Sequence, residues 1–245
     1  NVIQLRSDSL MWQKEAMINI GIRHLQSMGY KNVGYLDCDV GFAPGVDWEA
    51  GLRVTGFDVP VQLTEFLTHE YEGYGDDTTG ACAASSYNRN GGDPIRHSKA
   101  GFGWAFTVDW WERIGGVYDK AIVGGGDTFN WLGMTTSGEA LRSPYVLKGL
   151  ENMDRFREDF YKWASKVYPT LKGNKPRYLK NIMAVSKPHG KRANRDHIGR
   201  HRYLDAAGYD PSTMVGYDKN GLLQWTQYTP DILIQGCAEF FKGRG

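Results

Sequence analysis

Long apolar runs are missing from this sequence of 245 residues, and no segment approaches the roughly 18 apolar residues of a membrane-spanning helix. Paired cysteines are also missing, because Cys38, Cys82 and Cys237 form an odd set without Cys-x-x-Cys spacing. This set argues against a disulfide framework or a zinc knuckle and favours a reducing compartment. Net charge is nearly absent, since 29 basic residues face 28 acidic ones. We therefore expect a cytoplasmic globular protein without a membrane span, in which any site for a polyanion is local.

Alternating helix and strand patterns predict an α/β fold, because the 41% of residues that are apolar recur at helical or strand spacing. The predicted strands are 2–5, 32–36, 59–67 and 102–106. The predicted helices begin after Ser9, at Trp110, near Asp127, at Met153 and at Pro230. Turn residues over 85–92 predict a flexible loop. The pattern becomes more helical near residue 148, so we expect a core over 1–148 and a helical extension over 149–245.

Two carboxylates follow the second predicted strand directly. Asp37 and Asp39 flank Cys38 where the apolar run 32–36 ends, and this is the kind of edge at which open α/β sheets place ligands. Carboxylates with one residue between them can present oxygens to one hard cation, which in turn binds phosphate oxygens. The same pattern also arises by chance in solvated surface loops, so that alternative stays open.

A glycine run, Gly124 to Gly126, precedes Asp127. Glycines let the backbone pass close to a ligand, but neither of the common glycine-rich phosphate-binding motifs is present. The simpler interpretation is that the glycines clear space beside one carboxylate, Asp127, at the start of a helix. The alternative is that Asp127 only caps this helix, which contributes about 1 kcal/mol.

Two further features are candidates for ligand contacts. His189 lies in Lys-Pro-His-Gly at the start of a basic stretch, 187–202, that holds six Lys or Arg residues against one Asp. A neutral imidazole is a good ligand for manganese or zinc, although a single loop histidine more often binds nothing. Trp104 is flanked by Gly101 and Gly103 and could form a wall that faces a ligand, whereas most tryptophans at this density belong to a core.

Three blocks of sequence in the same order resemble metal-dependent glycosyltransferases of the GT-A fold, especially the beta-galactosyltransferases and the polypeptide N-acetylgalactosaminyltransferases. The first block, VIQLRSDSLMWQKEAMINIGIRHLQSMGYKNVGYLDCDVGFAP, carries Lys14, Asn19 and Gly21 in a K-x-x-x-x-N-x-G pattern before the DxD. The second, GFGWAFTVDWWERIGGVYDKAIVGGGDTFNWL, resembles the acceptor side of these families. The third runs from His189 to Tyr203 and resembles a segment whose histidine completes a metal site.

The resemblance implies a role for each matching carboxylate and for the histidine. Asp39 would bind the metal, His189 would be a further ligand, and Asp37 would touch the ribose or the metal. Asp127 would be the base that accepts the proton of the acceptor hydroxyl. The implied fold is Rossmann-like, with a mixed central sheet between helices, and its first strand and nucleoside-binding loop would precede Asn1. The implied cofactor is manganese, with magnesium as an alternative, and the implied donor is a UDP-sugar.

Donor contacts are expected from residues around these carboxylates. Lys14 and Arg6 can pair with the diphosphate, although both are also ordinary solvated residues of a helix face or of a structural ion pair. Trp104, Gly125 and Gly126 complete the expected donor-binding set. The sequence departs from the galactosyltransferase pattern at Gly126, where that family has a glutamate, and this puts the usual contacts to the acceptor sugar in doubt.

Three other functions remain open at this point. The same chemistry could act on hydroxymethylated bases in DNA, with the stretch 187–202 holding the phosphates. A metal-dependent phosphohydrolase or nuclease could use Asp37, Asp39 and Asp127 around two ions. A sugar or nucleotide binding module would bind the same ligands without turnover. The expected partners are therefore a nucleotide-sugar donor and a carbohydrate or other hydroxyl-bearing acceptor, with DNA as the alternative acceptor.

Overall fold

The structure is a computed structural model. It describes residues 2–69, 78–93, 99–137, 141, 150, 152–187 and 199–243. The described helices are α1 (Lys14–Ser27), α2 (Trp48–Thr55), α3 (Ala83–Arg89), α4 (Val108–Ile114), α5 (Gly126–Thr135), α6 (Asp154–Val167), α7 (Arg202–Ala206), α8 (Pro211–Met214) and α9 (Asp231–Lys242). The described strands are β1 (Asn32–Leu36), β2 (Val40–Phe42), β3 (Val61–Gln62), β4 (Phe66–His69), β5 (Thr78–Ala81), β6 (Gly103–Thr107), β7 (Arg177–Tyr178), β8 (Met183–Ser186), β9 (Val215–Tyr217) and β10 (Leu223–Trp225). The predicted α/β class is confirmed.

Two mixed sheets of four strands form the framework of the described chain. The first has the order β1-β6-β3-β7, in which β6 runs antiparallel to both neighbours and β7 runs parallel to β3. The second has the order β2-β8-β4-β5, in which β8 is antiparallel to β2 and parallel to β4. The β9 and β10 strands form a separate hairpin. Leu36 at the end of β1 pairs with Gly103 at the start of β6, so the chain segments that follow β1 and precede β6 meet at one sheet edge.

The predicted strand 59–67 is divided between the two sheets. Leu63 N still bonds to Gly103 O beside the first sheet, whereas Glu65 N bonds to Ile182 O beside the second. Thr64 lies between them, and its buried hydroxyl donates to Ile182 O. The prediction of one continuous strand was therefore wrong, because a buried polar side chain fixes the change from one sheet to the other.

Helix α1 is fastened to the core by Asn19, which is 4% exposed. Its amide nitrogen donates to Val117 O at 2.9 Å and to Asp119 Oδ2 at 3.1 Å. Its amide oxygen accepts from Trp111 Nε1 at 3.0 Å and from Val117 N at 2.9 Å. A buried amide with all of these bonds is satisfied and sets the position of α1 against the glycine turn after α4.

Replacing Asn19 by leucine should destabilise the fold strongly, because it leaves several buried polar groups without their partner. An unsatisfied buried group costs about 1–3 kcal/mol, so we expect Asn19→Leu to lower the free energy of unfolding by about 3 kcal/mol or more. Urea unfolding measures this loss, with the exposed Asn32→Ala as the control. Equal stability of the two variants would contradict this role for Asn19.

An aromatic cluster joins the two predicted parts of the chain. Phe160 of α6 lies 5.3 Å from the ring of Tyr118 and 5.1 Å from that of Phe129, measured between ring centroids. Phe156 packs edge-on against Phe129 at 5.3 Å. Strands β7 and β8 also pair with strands of the N-terminal part. The segments on either side of residue 148 therefore share one core and both sheets, and the second contributes strands as well as helices.

Several local predictions were wrong. Residues 2–5 form no strand, and Val2 is 95% exposed, because hydrophobicity without a neighbouring strand does not order an extended segment. Helix α1 begins at Lys14 rather than after Ser9, whose hydroxyl instead accepts from Trp225 N. The segment 85–92 belongs mostly to α3, since the thiol of Cys82 caps this helix and its first turn is buried. No described helix is both long and apolar enough to cross a membrane.

Candidate functional site

Lys14 brings two of the predicted carboxylates together. Its ammonium lies 2.7 Å from Asp37 Oδ1 and 3.0 Å from both carboxylate oxygens of Asp127. The three side chains are 19%, 20% and 29% exposed, respectively, so they lie at the rim of the protein rather than in its centre. We call Lys14, Asp37 and Asp127 the site cluster.

The sheet edge places Asp37 opposite Asp127. Asp37 N donates to Phe102 O at 2.9 Å, which extends the pairing of β1 and β6 by one residue. A side chain at Gly101 would begin 3.0 Å from Asp127 Oδ2 and 3.6 Å from Asp37 Oδ2. Gly101 therefore leaves the space in which the two carboxylates can approach the same ammonium.

Glu15 is buried beneath this cluster. The residue is 2% exposed, and neither of its carboxylate oxygens meets a hydrogen-bond partner on another described residue. Its carboxyl contacts the backbone of Gly126 so closely that a Cβ atom at position 126 would overlap it. The absence of a side chain at Gly126 is thus explained by Glu15, which fills that space from helix α1.

The other two glycines of the run make room for side chains of the same chain. A Cβ atom at Gly125 would lie 2.8 Å from an Arg200 nitrogen, and one at Gly124 would lie 3.2 Å from another. Gly124 also faces the indole of Trp12. The space beside Asp127 that these glycines leave is therefore occupied by Arg200, Trp12 and Glu15. The predicted donor contacts of Gly125 and Gly126 stay a prediction.

The charges of the site cluster depend on one another. Burial raises the pKa of Asp127, Lys14 lowers it and Asp37 raises it, and the result lies above the usual range. Burial alone would lower the pKa of Lys14, but the charges of Asp127 and Asp37 outweigh burial and raise it. Lys14 is therefore a permanent cation that favours the ionised form of Asp127. Asp127 is not the helix cap, because Gly125 holds that position and has no side chain to accept from the free backbone N–H groups.

Asp39 lies at the junction between β2 and β8. Its carboxylate accepts from the buried hydroxyl of Ser186 at 3.0 Å, and its backbone oxygen accepts from Lys187 N at 2.7 Å. The basic stretch 187–202 therefore begins beside Asp39. His189 lies outside the described residues. Of the predicted metal ligands Asp39 and His189, the structure therefore describes only Asp39.

The metal prediction can be compared with the ligands that are described. Among these residues, no three histidine, cysteine, aspartate or glutamate side chains come together as a metal-binding group. Asp39 offers carboxylate oxygen of the kind that manganese and magnesium bind. Asp37 is less suited as a ligand, because the ammonium of Lys14 already lies at its Oδ1. The described donor set thus fits a metal at Asp39 better than one between Asp37 and Asp127.

The site cluster does not include two of the predicted donor contacts, Trp104 and Arg6. Trp104 is 3% exposed, and its indole nitrogen donates to Ala100 O at 2.9 Å. Its ring packs against Trp131 in the core, so it is not a wall that faces a ligand. The prediction failed because Trp104 is on β6, in the middle of the first sheet. Arg6 is exposed and forms no ion pair with another described residue.

Glu15 and Arg200 were not predicted as site residues from the sequence. A glutamate directly after Lys14 resembles an ordinary charged residue of a first helical turn, and Arg200 is one of six basic residues in its stretch. The only available signal was Gly126, since a missing side chain next to a carboxylate indicates that another group approaches there. Sequence spacing alone does not show which group that is.

The chain itself offers three features for the assignment of a function. They are the α/β framework, the site cluster at one sheet edge, and Asp39 beside the start of the basic stretch. No protein-family model, no curated protein and no solved structure matches this chain.

Proposed function

We propose that this protein is a metal-dependent glycosyltransferase that moves a sugar from a nucleotide diphosphate to an acceptor hydroxyl. A UDP-sugar is the proposed donor, and Asp127 is the proposed base of an inverting displacement. The observation that carries the proposal is the arrangement of Asp37 and Asp127, which lie far apart in sequence and share the ammonium of Lys14. The three sequence blocks described above supply the reaction class.

Asp127 is suited to accept a proton. Its carboxylate is partly exposed and its pKa is raised by burial, and a base whose pKa lies nearer to neutrality accepts a proton more readily in the transition state. In the proposed step, the acceptor oxygen forms a bond to the anomeric carbon while its proton passes to Asp127. The bond from that carbon to the diphosphate breaks, and the diphosphate leaves with the electron pair. Attack from the face opposite the leaving group inverts the configuration.

Lys14 and Arg200 are suited to the negative charge of the leaving group. Lys14 is a permanent cation at the rim of the site, and Arg200 lies over Gly125 next to Asp127. Cations that are already in place stabilise the charge that develops on a leaving diphosphate without further rearrangement. The ammonium of Lys14 also favours the ionised form of Asp127 until the acceptor hydroxyl arrives.

Asp39 and His189 are the residues that would hold a manganese or magnesium ion. When it is bound, such an ion neutralises part of the charge of the diphosphate. The bond from Ser186 to Asp39 and the bond from Lys187 N to its backbone hold this aspartate at the edge of the second sheet. A carboxylate that is fixed in this way is oriented before a ligand binds.

The position of Lys14 favours sugar transfer over a two-ion phosphohydrolase. A phosphohydrolase that uses Asp37, Asp39 and Asp127 requires cations that bridge these carboxylates. The ammonium of Lys14 lies in that bridging position between Asp37 and Asp127. A second metal ion would have to displace it.

The function can be tested with a panel of nucleotide sugars and manganese, with release of the nucleotide as the readout. We expect Asp39→Ala to lose metal-dependent donor binding, measured by calorimetry, because the carboxylate ligand is removed. Asp8→Ala, at an exposed position, is the matched control and should bind like the wild type. Phosphodiester cleavage without a sugar donor, or donor binding without turnover, would replace the proposal by one of the alternatives. Transfer only to DNA would retain the chemistry and change the acceptor.

A further inference from the structure

Glu15 is a buried acid for which the proposed reaction has no use so far. Its residue is 2% exposed, and both of its carboxylate oxygens lack a hydrogen-bond partner on other described residues. Buried polar groups are almost always paired, and an isolated buried carboxylate is costly. The burial of this carboxyl next to the site cluster therefore requires an explanation.

The contact with Gly126 fixes where this carboxyl lies. A Cβ atom at position 126 would overlap the carboxyl of Glu15. A glutamate at position 15 therefore requires a glycine at position 126. Gly126 is the first residue of α5, and Asp127 is the second. The carboxyl of Glu15 therefore packs directly on the turn that presents Asp127.

The charged neighbours of Glu15 favour its uncharged form. Lys14 on α1 and Arg200 are the cations of the site, while Asp37 at the end of β1 and Asp127 on α5 are its anions. Tyr35 on β1 is a neutral acid that also senses these charges. Among the described residues, these two cations balance these two anions, so a third carboxylate here would be a buried charge without a described counterion. Burial, and next the charge of Asp127, raise the pKa of Glu15 to about 8.

We propose that Glu15 is a positioning residue that acts through Asp127. Its carboxyl packs on Gly126 and supports the turn that presents Asp127. Because Glu15 is an uncharged acid, the negative charge of the two acids, Glu15 and Asp127, lies on Asp127. The role in catalysis rests on the proposed function. The pairing of the two acids does not, because it follows from the burial, the contact and the balance of charges described above.

Variants at the two positions separate positioning from charge. Glu15→Gln keeps the size and the uncharged state, so kcat should stay within about twofold of the wild type at pH 7. Glu15→Ala removes the support of the α5 turn, and we expect kcat to fall about 10- to 100-fold with little change in the donor KM, since small displacements of a reacting group can cost about 100-fold. Gly126→Ala should cause a similar loss, because its new methyl group competes with Glu15 for the same space.

The pH dependence distinguishes this role from a merely structural one. Ionisation of Glu15 above pH 8 adds a negative charge beside Asp127, so the wild type should lose donor affinity in alkaline solution and Glu15→Gln should not. The ionisation of Glu15 should also change the stability of the protein, which can be measured without donor or acceptor. The pKa of Glu15 is higher in the folded protein than in the unfolded chain, so its stabilising effect is present at low pH and is lost as the pH rises to about 8. Glu15→Gln should therefore melt at a higher temperature than the wild type at pH 9, with a smaller difference at pH 5.

The variants at Glu15 and Gly126 need a control substitution at a glycine that is not in contact with Glu15. Gly21→Ala on α1 is the matched glycine control, because a Cβ atom there meets nothing within 4 Å. A pH-independent difference in melting temperature between wild type and Glu15→Gln would overturn the inference. So would a loss of kcat in Glu15→Gln equal to that in Asp127→Asn, since Glu15 would then be the reacting base. The expected melting behaviour without any sugar transfer would support the acid pair and reject the proposed function.

Discussion

Asp127→Asn should abolish sugar transfer while donor binding survives. The amide has nearly the same size as the carboxylate but cannot take the proton of the acceptor hydroxyl, and general bases contribute about 100- to 10,000-fold to rates. We therefore expect kcat to fall by about this factor. Calorimetry with the nucleotide sugar and manganese should show a Kd within a few-fold of the wild type, because the groups proposed to hold the donor remain in place.

The control for this substitution is Asp109→Asn, at an exposed position in the first turn of α4. It should leave both kcat and Kd unchanged. Asp127 accepts two hydrogen bonds from Lys14, so a thermal melt must show that the variant is folded. A folded Asp127→Asn protein that retains the transfer rate of the wild type would exclude Asp127 as the base.

Lys14→Met should weaken both the fold and the donor site. Removing one partner from a buried ion pair typically costs about 3–5 kcal/mol, and partial exposure reduces that cost. Because the three side chains are 19–29% exposed, we expect a loss of about 2–3 kcal/mol in the free energy of unfolding. Urea unfolding measures it, with the exposed Lys31→Met as the control. Affinity for nucleotide diphosphate should fall as well, by about tenfold or more for one lost charge-assisted bond.

The loss of stability in Lys14→Met should depend on pH. Without the ammonium, Asp127 loses the charge that lowers its pKa and keeps the like charge of Asp37 that raises it, so the pKa of Asp127 in the folded protein rises further. Stability is then greatest at low pH and declines as the pH rises through the folded pKa of Asp127. The deficit relative to the wild type should therefore be smaller at pH 4 than at pH 8. A deficit that does not change with pH would contradict the bridging role of Lys14.

Much of the framework could be predicted from local pattern. The bounds of β1 agree with the apolar run between turn residues, and α6 follows from apolar residues at three- and four-residue steps. Predictions failed where long-range contacts decide. The run 2–5 pairs with no described strand, and the turn residues of α3 become helical because their neighbours are buried. Neither contact is visible in a single segment.

The carboxylates of the candidate site could be predicted from the sequence, but the side chains that surround them could not. Asp37 and Asp127 follow from their positions at a strand end and a helix start, and Lys14 was among the expected contacts. That Lys14 bridges both depends on the register of β1 against β6 and on the space at Gly101. Trp104 was assigned to the ligand because small residues flank it, but one of those residues, Gly103, packs against Leu36 and Tyr35 instead. His189 stays a prediction, since it lies outside the described residues.

Helix α1 contains both the residues at the candidate site, Lys14 and Glu15, and the residue that fastens the helix to the core, Asn19. Glu15 and Asn19 are four residues apart and lie on the same face, with Glu15 under the site cluster and Asn19 in the core. A single inserted residue between them would turn one relative to the other by about 100°. The interval from Lys14 to Asn19 therefore tolerates neither an insertion nor a deletion if the site is to keep its geometry.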